Sequence, residues 1–117
     1  MPDERGAFVH EAELDLDPGT DPAAVGAAVT TALCGHWEHE GACRWPHNNA
    51  IEVGSVGATF RTLFIALAGD EGDVRGRIDR SLREGVGWSV RSAAPRPVAP
   101  AEEPLARRLA AGPTVPE

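Results

Sequence analysis

The 117-residue chain contains no lysine, no glutamine and no tyrosine, and aromatic residues make up only 5% of it. Every basic side chain is therefore an arginine, and the formal net charge is −7. Non-specific nucleic-acid binding depends on neutralising phosphates with basic side chains, so this charge argues against it. It also disfavours an anionic membrane surface as a partner. We expect no nucleic acid and no membrane among the partners.

Long apolar runs are also lacking, and none approaches the roughly 20 residues that a transmembrane helix needs. The N-terminus, residues 1–5, is polar and acidic, with no apolar stretch behind it that would indicate a secretory signal. We therefore expect a cytoplasmic protein, in which thiols stay reduced. A disulfide between Cys34 and Cys43, the chain's two cysteines, is the alternative state of those thiols.

The first part of the chain predicts a strand followed by a helix. Residues 7–17 alternate between apolar side chains and carboxylates, as in a half-buried strand. His10 falls on the apolar face, where we expect a hydrogen-bonded core histidine. Asp21-Pro22 is a good helix start, and Gly35 suits the end of that helix. The apolar stripe between them consists of Val25, Ala28, Val29, Ala32 and Leu33.

The second part predicts two strands, a helix and a last strand. Residues 50–53 and 59–67 flank a glycine-rich turn, and the longer strand is apolar on both faces, which is typical of a central strand. A second helix carries an apolar stripe and ends near Gly85, and residues 88–91 form a short strand. That stripe consists of Val74, Ile78 and Leu82. Residues 36–49 are either a loop or an edge strand.

The resulting order β-α-β-β-α-β predicts an α+β fold of the ferredoxin-like kind. This is a two-layer sandwich with an antiparallel sheet and two helices on one face, and we expect it to occupy residues 1–92 as a single domain. Residues 93–117 hold six of the ten prolines and predict a flexible tail. A short helix at 104–111 would be unstable alone, so it either docks or stays unfolded.

The clearest chemical signal is a cluster of cysteine and histidine between positions 34 and 47. It contains five of the six such residues in the chain, namely Cys34, His36, His39, Cys43 and His47. Thiolate and imidazole are the usual ligands of zinc and related metals. The spacing matches no standard zinc motif, and a Cys2His2 or a Cys2His set remains open. We therefore expect a small cytosolic binding protein that holds zinc in this segment.

Two other hypotheses concern the same segment. A metal-free interaction module would use residues 36–49 as an edge that pairs with a second copy or another protein. Exposed Trp37 and Trp45 would then form the contact. A cysteine-dependent enzyme would need a nucleophile, a base and an orienting group. Cys43, His39 and Glu38 supply those types, with His47 as another base, but no nucleophile motif is present, and we expect no enzyme.

Overall fold

A computed structural model describes residues 5–34 and 45–111 of the chain. Within these residues the backbone forms strands β1 Arg5–Leu16, β2 His47–Val53, β3 Ala58–Leu67 and β4 Trp88–Arg96. The α-helices are α1 Ala23–Cys34, α2 Glu71–Glu84 and α3 Glu103–Ala111. A 3₁₀ turn precedes each of α2 and α3. No helix in this part of the chain is long and apolar enough to span a membrane.

The four strands form one antiparallel sheet in the order β2-β3-β1-β4. The mixed α+β class and the antiparallel sheet are therefore confirmed. β3 lies between β1 and β2, which confirms the central position that its two apolar faces predicted. β2 and β4 are the edge strands, and β2 begins at His47. The 36–49 segment is thus a strand over its last three residues.

The main core lies between one face of the sheet and the helices α1 and α2. The two predicted helical stripes are buried there, with Val25, Val29 and Leu33 on α1 and Val74, Ile78 and Leu82 on α2. They pack against Phe60 and Phe64 of β3 and against Ala12 and Leu14 of β1. Side chains at alternate positions of a strand share one face, so these contacts follow from the period-two pattern of both strands.

Local sequence signals account for the ends of both helices. At the start of α1, the Asp21 side chain accepts a hydrogen bond from the Ala23 N–H at 3.0 Å. At the end of α2, the Trp88 indole N–H donates to the Leu82 carbonyl at 2.8 Å, which satisfies a carbonyl of the last helical turn. Gly85 is needed beside that indole, since a Cβ there would lie 2.0 Å from a Trp88 ring carbon.

The opposite face of the sheet is covered by α3. Ala106 is buried against Val9 and Leu63, with Leu105 and Leu109 partly buried beside them. β4 continues to Arg96, so residues 93–96, which we expected in the tail, extend the sheet. The helix expected at 104–111 lies at Glu103–Ala111 and packs on the domain. Residues 112–117 lie outside the described part of the chain.

Candidate functional site

The cysteine–histidine cluster spans the connection from α1 to β2. Cys34 is the last residue of α1 and His47 is the first residue of β2. The other three predicted ligands, His36, His39 and Cys43, lie in residues 35–44, outside the described residues. Glu38 and Trp37 lie there as well. Of the predicted metal set, the structure therefore places two members, one at each end of the segment.

Hydrogen bonds at both ring nitrogens fix the orientation of the His47 imidazole. Nδ1 lies 3.0 Å from the Trp45 carbonyl oxygen, and Nε2 lies 3.0 Å from the Thr30 hydroxyl. Because a carbonyl only accepts, Nδ1 carries the proton and Nε2 accepts from Thr30. Histidine ligands commonly donate one N–H to a backbone carbonyl in this way, leaving the other nitrogen for a metal.

Thr30 belongs to a polar network that joins α1 to the sheet. Asn49 donates from its side-chain nitrogen to the Thr30 hydroxyl and to the Gly26 carbonyl, both at 3.1 Å. Thr62, which is fully buried, donates to the Asn49 side-chain oxygen at 2.9 Å. Sequence reasoning missed this network. Its one signal was a pair of polar residues, Asn49 and Thr62, at positions whose side chains point toward the helices.

Cys34 is disulfide-bonded, and the chain's other cysteine, Cys43, is outside the described residues. Thr30 precedes Cys34 by one helical turn, so both side chains lie on the same side of α1. The hydrogen bond between Thr30 and His47 brings the end of α1 and the start of β2 together at one corner of the fold, the α1–β2 corner. A disulfide sulfur is not a thiolate, so Cys34 is available to a metal only after reduction.

Trp45 corrects the expectation of an exposed tryptophan on the edge segment. Its side chain is only 4% exposed and belongs to the main core. The Arg77 guanidinium lies over the ring, 5.1 Å from its centroid. Turning inward removes the large apolar area of the indole from water, which stabilises the core. The buried ring is then not available as a surface contact. Trp45 therefore anchors the start of β2 to the core.

The fourth histidine, His10, is buried beneath α2 and is 7% exposed. The Arg75 guanidinium donates to its Nδ1 at 3.1 Å, to the Val9 carbonyl at 2.7 Å and to Glu71 at 2.8 Å. Burial lowers the pKa of His10, and the Arg75 charge lowers it further, although Asp79 opposes this. The neutral imidazole must carry its proton on Nε2, which has no hydrogen-bond partner among the described residues.

The carboxylates on the outer side of β1 are all paired with other side chains. Glu11 binds Arg61 and Arg96, Glu13 accepts from Thr59, and Asp15 binds Arg91. Burial opposes the ionisation of Glu11, but the two arginine hydrogen bonds outweigh it and lower its pKa. Across residues 5–34 and 45–111, no group of three or more histidine, cysteine or acidic side chains could hold a metal.

An open groove of about 430 Å³ lies beside the turn between β2 and β3, at the opposite end of β2 from His47. Arg91 lines it and is already held by Asp15 at 2.7 Å. Glu13 also lines it and accepts from Thr59 at 3.0 Å. Both charged groups thus already have partners within the protein. The groove is therefore a weaker candidate for a ligand-binding site than the α1–β2 corner.

Comparisons with known proteins suggest no function for this chain, so a function is argued from its side chains. No protein-family model, no curated protein and no solved structure matches the chain significantly. The α1–β2 corner brings together a disulfide-bonded cysteine, an oriented imidazole and a polar network. It is the candidate functional site of this protein.

Proposed function

We propose that this chain is a small binding protein whose segment 34–47 binds a transition metal, zinc, at the α1–β2 corner. The observation that carries the proposal is the orientation of His47. Its Nδ1–H is committed to the Trp45 carbonyl, and its Nε2 faces Thr30, whose hydroxyl is the weaker competitor for a nitrogen lone pair. A metal at Nε2 would replace the hydrogen bond from Thr30.

The ligand set depends on the state of the cysteines. Zinc takes three or four ligands, and short spacings let one segment supply most of them. In reduced protein, Cys34 and Cys43 supply two thiolates, and one or two of the imidazoles of His36, His39 and His47 complete a Cys2His or Cys2His2 set. In oxidised protein only the three imidazoles remain. We therefore expect the reduced chain to bind zinc more tightly than the oxidised chain does.

The test is zinc content by mass spectrometry on tag-free protein, prepared with and without a thiol reductant and dialysed against equimolar zinc. We expect close to one zinc per chain in the reduced sample and a lower value in the oxidised one. Equal zinc in both samples would assign the site to the imidazoles alone. Zinc at background level in both samples would overturn the proposal.

A matched pair of variants separates a ligand role from a structural role for His47. His47→Gln keeps a hydrogen-bonding side chain but loses the imidazole, so zinc affinity should fall at least about tenfold. Thr30→Val removes the competing hydroxyl and leaves the ligand, so zinc should be retained. Melting temperature is measured for both. If both variants lose stability alike and neither changes zinc affinity, His47 serves only the fold.

A second candidate function, a metal-free interaction module, is favoured by the contrast between the two sheet edges. Natural edges are protected by proline, charge or bulges. The β4 edge carries Pro95 and Arg96, and its pairing with β1 shifts register between Glu13 and Leu14. β2 pairs with β3 in continuous register and contains no proline, no glycine and one charge, Glu52.

The backbone of β2 also has outward-facing groups. The Ile65 N–H donates to the Pro46 carbonyl at 2.9 Å, so position 46 is a hydrogen-bonded pair with β3. Such pairs alternate along an antiparallel ladder. The N–H and C=O groups of residues 49 and 51 therefore point to the outer edge. We propose that two copies of the chain pair through these groups.

Light scattering over a concentration series tests this dimer. Ala50→Lys places a charge on the exposed side of β2, where it should weaken pairing and give monomer. Ser92→Lys puts the same charge on the β4 edge and serves as the control, with the dimer retained. Chelators should have no effect. A wild-type chain that stays monomeric at every concentration would exclude the homodimer.

Two broader proposals remain. The order β2-β3-β1-β4, with α1 joining β1 to β2 and α2 joining β3 to β4, supports the ferredoxin-like sandwich proposed from the sequence. A crystal structure with another connectivity would refute it.

Cytoplasmic location is proposed from the sequence, whereas the disulfide at Cys34 favours an oxidising compartment. Trapping the thiols by alkylation in intact cells decides between them, since a cytoplasmic protein should be alkylated at both cysteines.

A further inference from the structure

The C-terminal arm, residues 97–111, covers an apolar surface on the outer side of the sheet. This outer face consists of Ala7, Val9 and Leu63, on the side of the sheet opposite α1 and α2. Two arginines lie at its margin. Arg61 lies beside it on β3, and Arg5 at the start of β1 donates to the Ala110 carbonyl at 3.0 Å, near the C-terminal end of α3.

One ionic clasp, between Arg61 and Glu102, holds the start of the arm. Arg61 donates to both carboxylate oxygens of Glu102, at 2.7 and 3.0 Å, and the Glu102 side chain also caps the backbone N–H of Ala99 at 2.8 Å. Arg61 is held in position by Glu11 at 2.7 Å. A bidentate arginine–carboxylate pair of this kind selects for an acidic residue at the start of the docked helix.

The apolar contact beneath the clasp is small. Ala106 is the one side chain of α3 that is buried, while Leu105 and Leu109, one turn apart, are partly exposed. A helix of nine residues is shorter than the roughly 12 to 15 at which an isolated helix becomes even marginally stable. α3 therefore depends on docking, and the arm belongs to the parts of a protein that open locally at low cost.

We propose that the outer face is an exchangeable docking surface for an amphipathic helix of another protein, and that the C-terminal arm occupies it in the free chain. The fitting partner carries a carboxylate in its first turn and apolar side chains at i and i+4, as Glu102, Leu105 and Leu109 do here. The arm acts as a competitor in cis, present at an effective concentration of about 1 mM because it is tethered. Only a tighter-binding helix displaces it.

The probe is a fluorescent peptide with the sequence of residues 97–111, titrated with the full-length protein and followed by anisotropy. We expect weak binding to the wild type, because the arm competes. Glu102→Gln in the protein weakens the clasp in cis while the peptide keeps its own Glu102. Charge-assisted hydrogen bonds of this strength predict about tenfold tighter peptide binding to that variant.

Two controls isolate the surface. Asp73→Asn breaks a more exposed ion pair, with Arg77 on α2, and should leave peptide binding at the wild-type level. A peptide with Leu105→Asp and Leu109→Asp should not bind any of the proteins, and it leaves their folding untouched. Hydrogen exchange of the α3 amides in the full-length Glu102→Gln protein should be at least about tenfold faster than in the wild type.

The proposal is overturned if the peptide binds neither protein and α3 exchanges only with the core, since the arm is then a fixed part of the fold. Equal binding of the native and the aspartate peptides would also overturn it, because the apolar stripe would play no part. A dimer that the peptide converts to monomer would identify the occupant as the arm of a second copy, and would exclude a different partner protein.

Discussion

At the scale of single residues, buried polar groups in this protein are accommodated by specific partners rather than by exposure. The Arg75 guanidinium lies over the neighbouring rings of Phe8 and Phe64, 5.9 and 5.3 Å from their centroids. Its N–H groups donate to His10, Val9 and Glu71. One guanidinium therefore satisfies a strand carbonyl and the Nδ1 of the His10 imidazole under α2. This explains how His10, predicted as a core histidine, is tolerated inside.

Trp45 gives a test of the core at this scale. Trp45→Ala removes a side chain that is 4% exposed and should lower the free energy of unfolding by about 3–5 kcal/mol. Urea unfolding of the purified variant measures this. Val56→Ala, at a side chain that is 77% exposed, is the control and should leave the urea midpoint unchanged. A Trp45→Ala protein as stable as the wild type would show that the indole is not a core anchor.

At the scale of elements, α2 is stabilised both by its buried apolar stripe and by ion pairs between its more exposed side chains. Three pairs of an acidic residue followed four positions later by an arginine lie along α2. They are Glu71–Arg75, Asp73–Arg77 and Asp79–Arg83, with nitrogen–oxygen distances of 2.8, 3.3 and 2.9 Å. Such pairs stabilise a helix modestly. α3 is too short to be stable alone, so its position depends on contacts with distant residues such as Arg61, which binds Glu102 just before the helix.

The same clasp predicts how α3 responds to acid. The Arg61 hydrogen bond lowers the pKa of Glu102, so the folded pKa lies below that of the unfolded chain. The clasp therefore stabilises the docked arm fully above about pH 4.3 and is lost as the pH falls through the folded pKa. The lowered pKa of Glu11, which positions Arg61, acts in the same direction.

We expect the α3 amides to lose hydrogen-exchange protection on acidification before the amides of β1 and β3 do. The measurement is exchange between pH 6 and pH 3, corrected for intrinsic rates. In Glu102→Gln the α3 protection should already be low at pH 6 and should change less. Simultaneous loss of protection in α3 and in the central strands at every pH would contradict this.

At the scale of the whole molecule, one four-stranded sheet is covered on both faces, and within residues 5–34 and 45–111 no further strand pairs with either edge. α1 and α2 cover one face, and the arm covers the other. The two edges differ, since β4 carries proline and arginine and β2 does not. The three binding places proposed above are the α1–β2 corner, the β2 edge and the outer face beneath the arm.

By itself the sequence determined the order of the elements from β1 to β4 and most residues of the main core, though not Trp45. Alternation in β1, the helical stripes of α1 and α2 and the doubly apolar β3 are local patterns, and each marks which side of an element must be buried. The sequence also located the cysteine–histidine segment, because clustering of residue types needs no three-dimensional information.

Only the tertiary structure decided what the polar side chains contact. The Thr30–Asn49–Thr62 network, the inward turn of Trp45 and the Arg61–Glu102 clasp each join residues distant in the chain. Periodicity reports which face of an element is apolar, but it carries no information on which element covers that face. For this reason residues 97–111 were predicted as part of a proline-rich tail, while their packing depends on an apolar surface formed by β1 and β3.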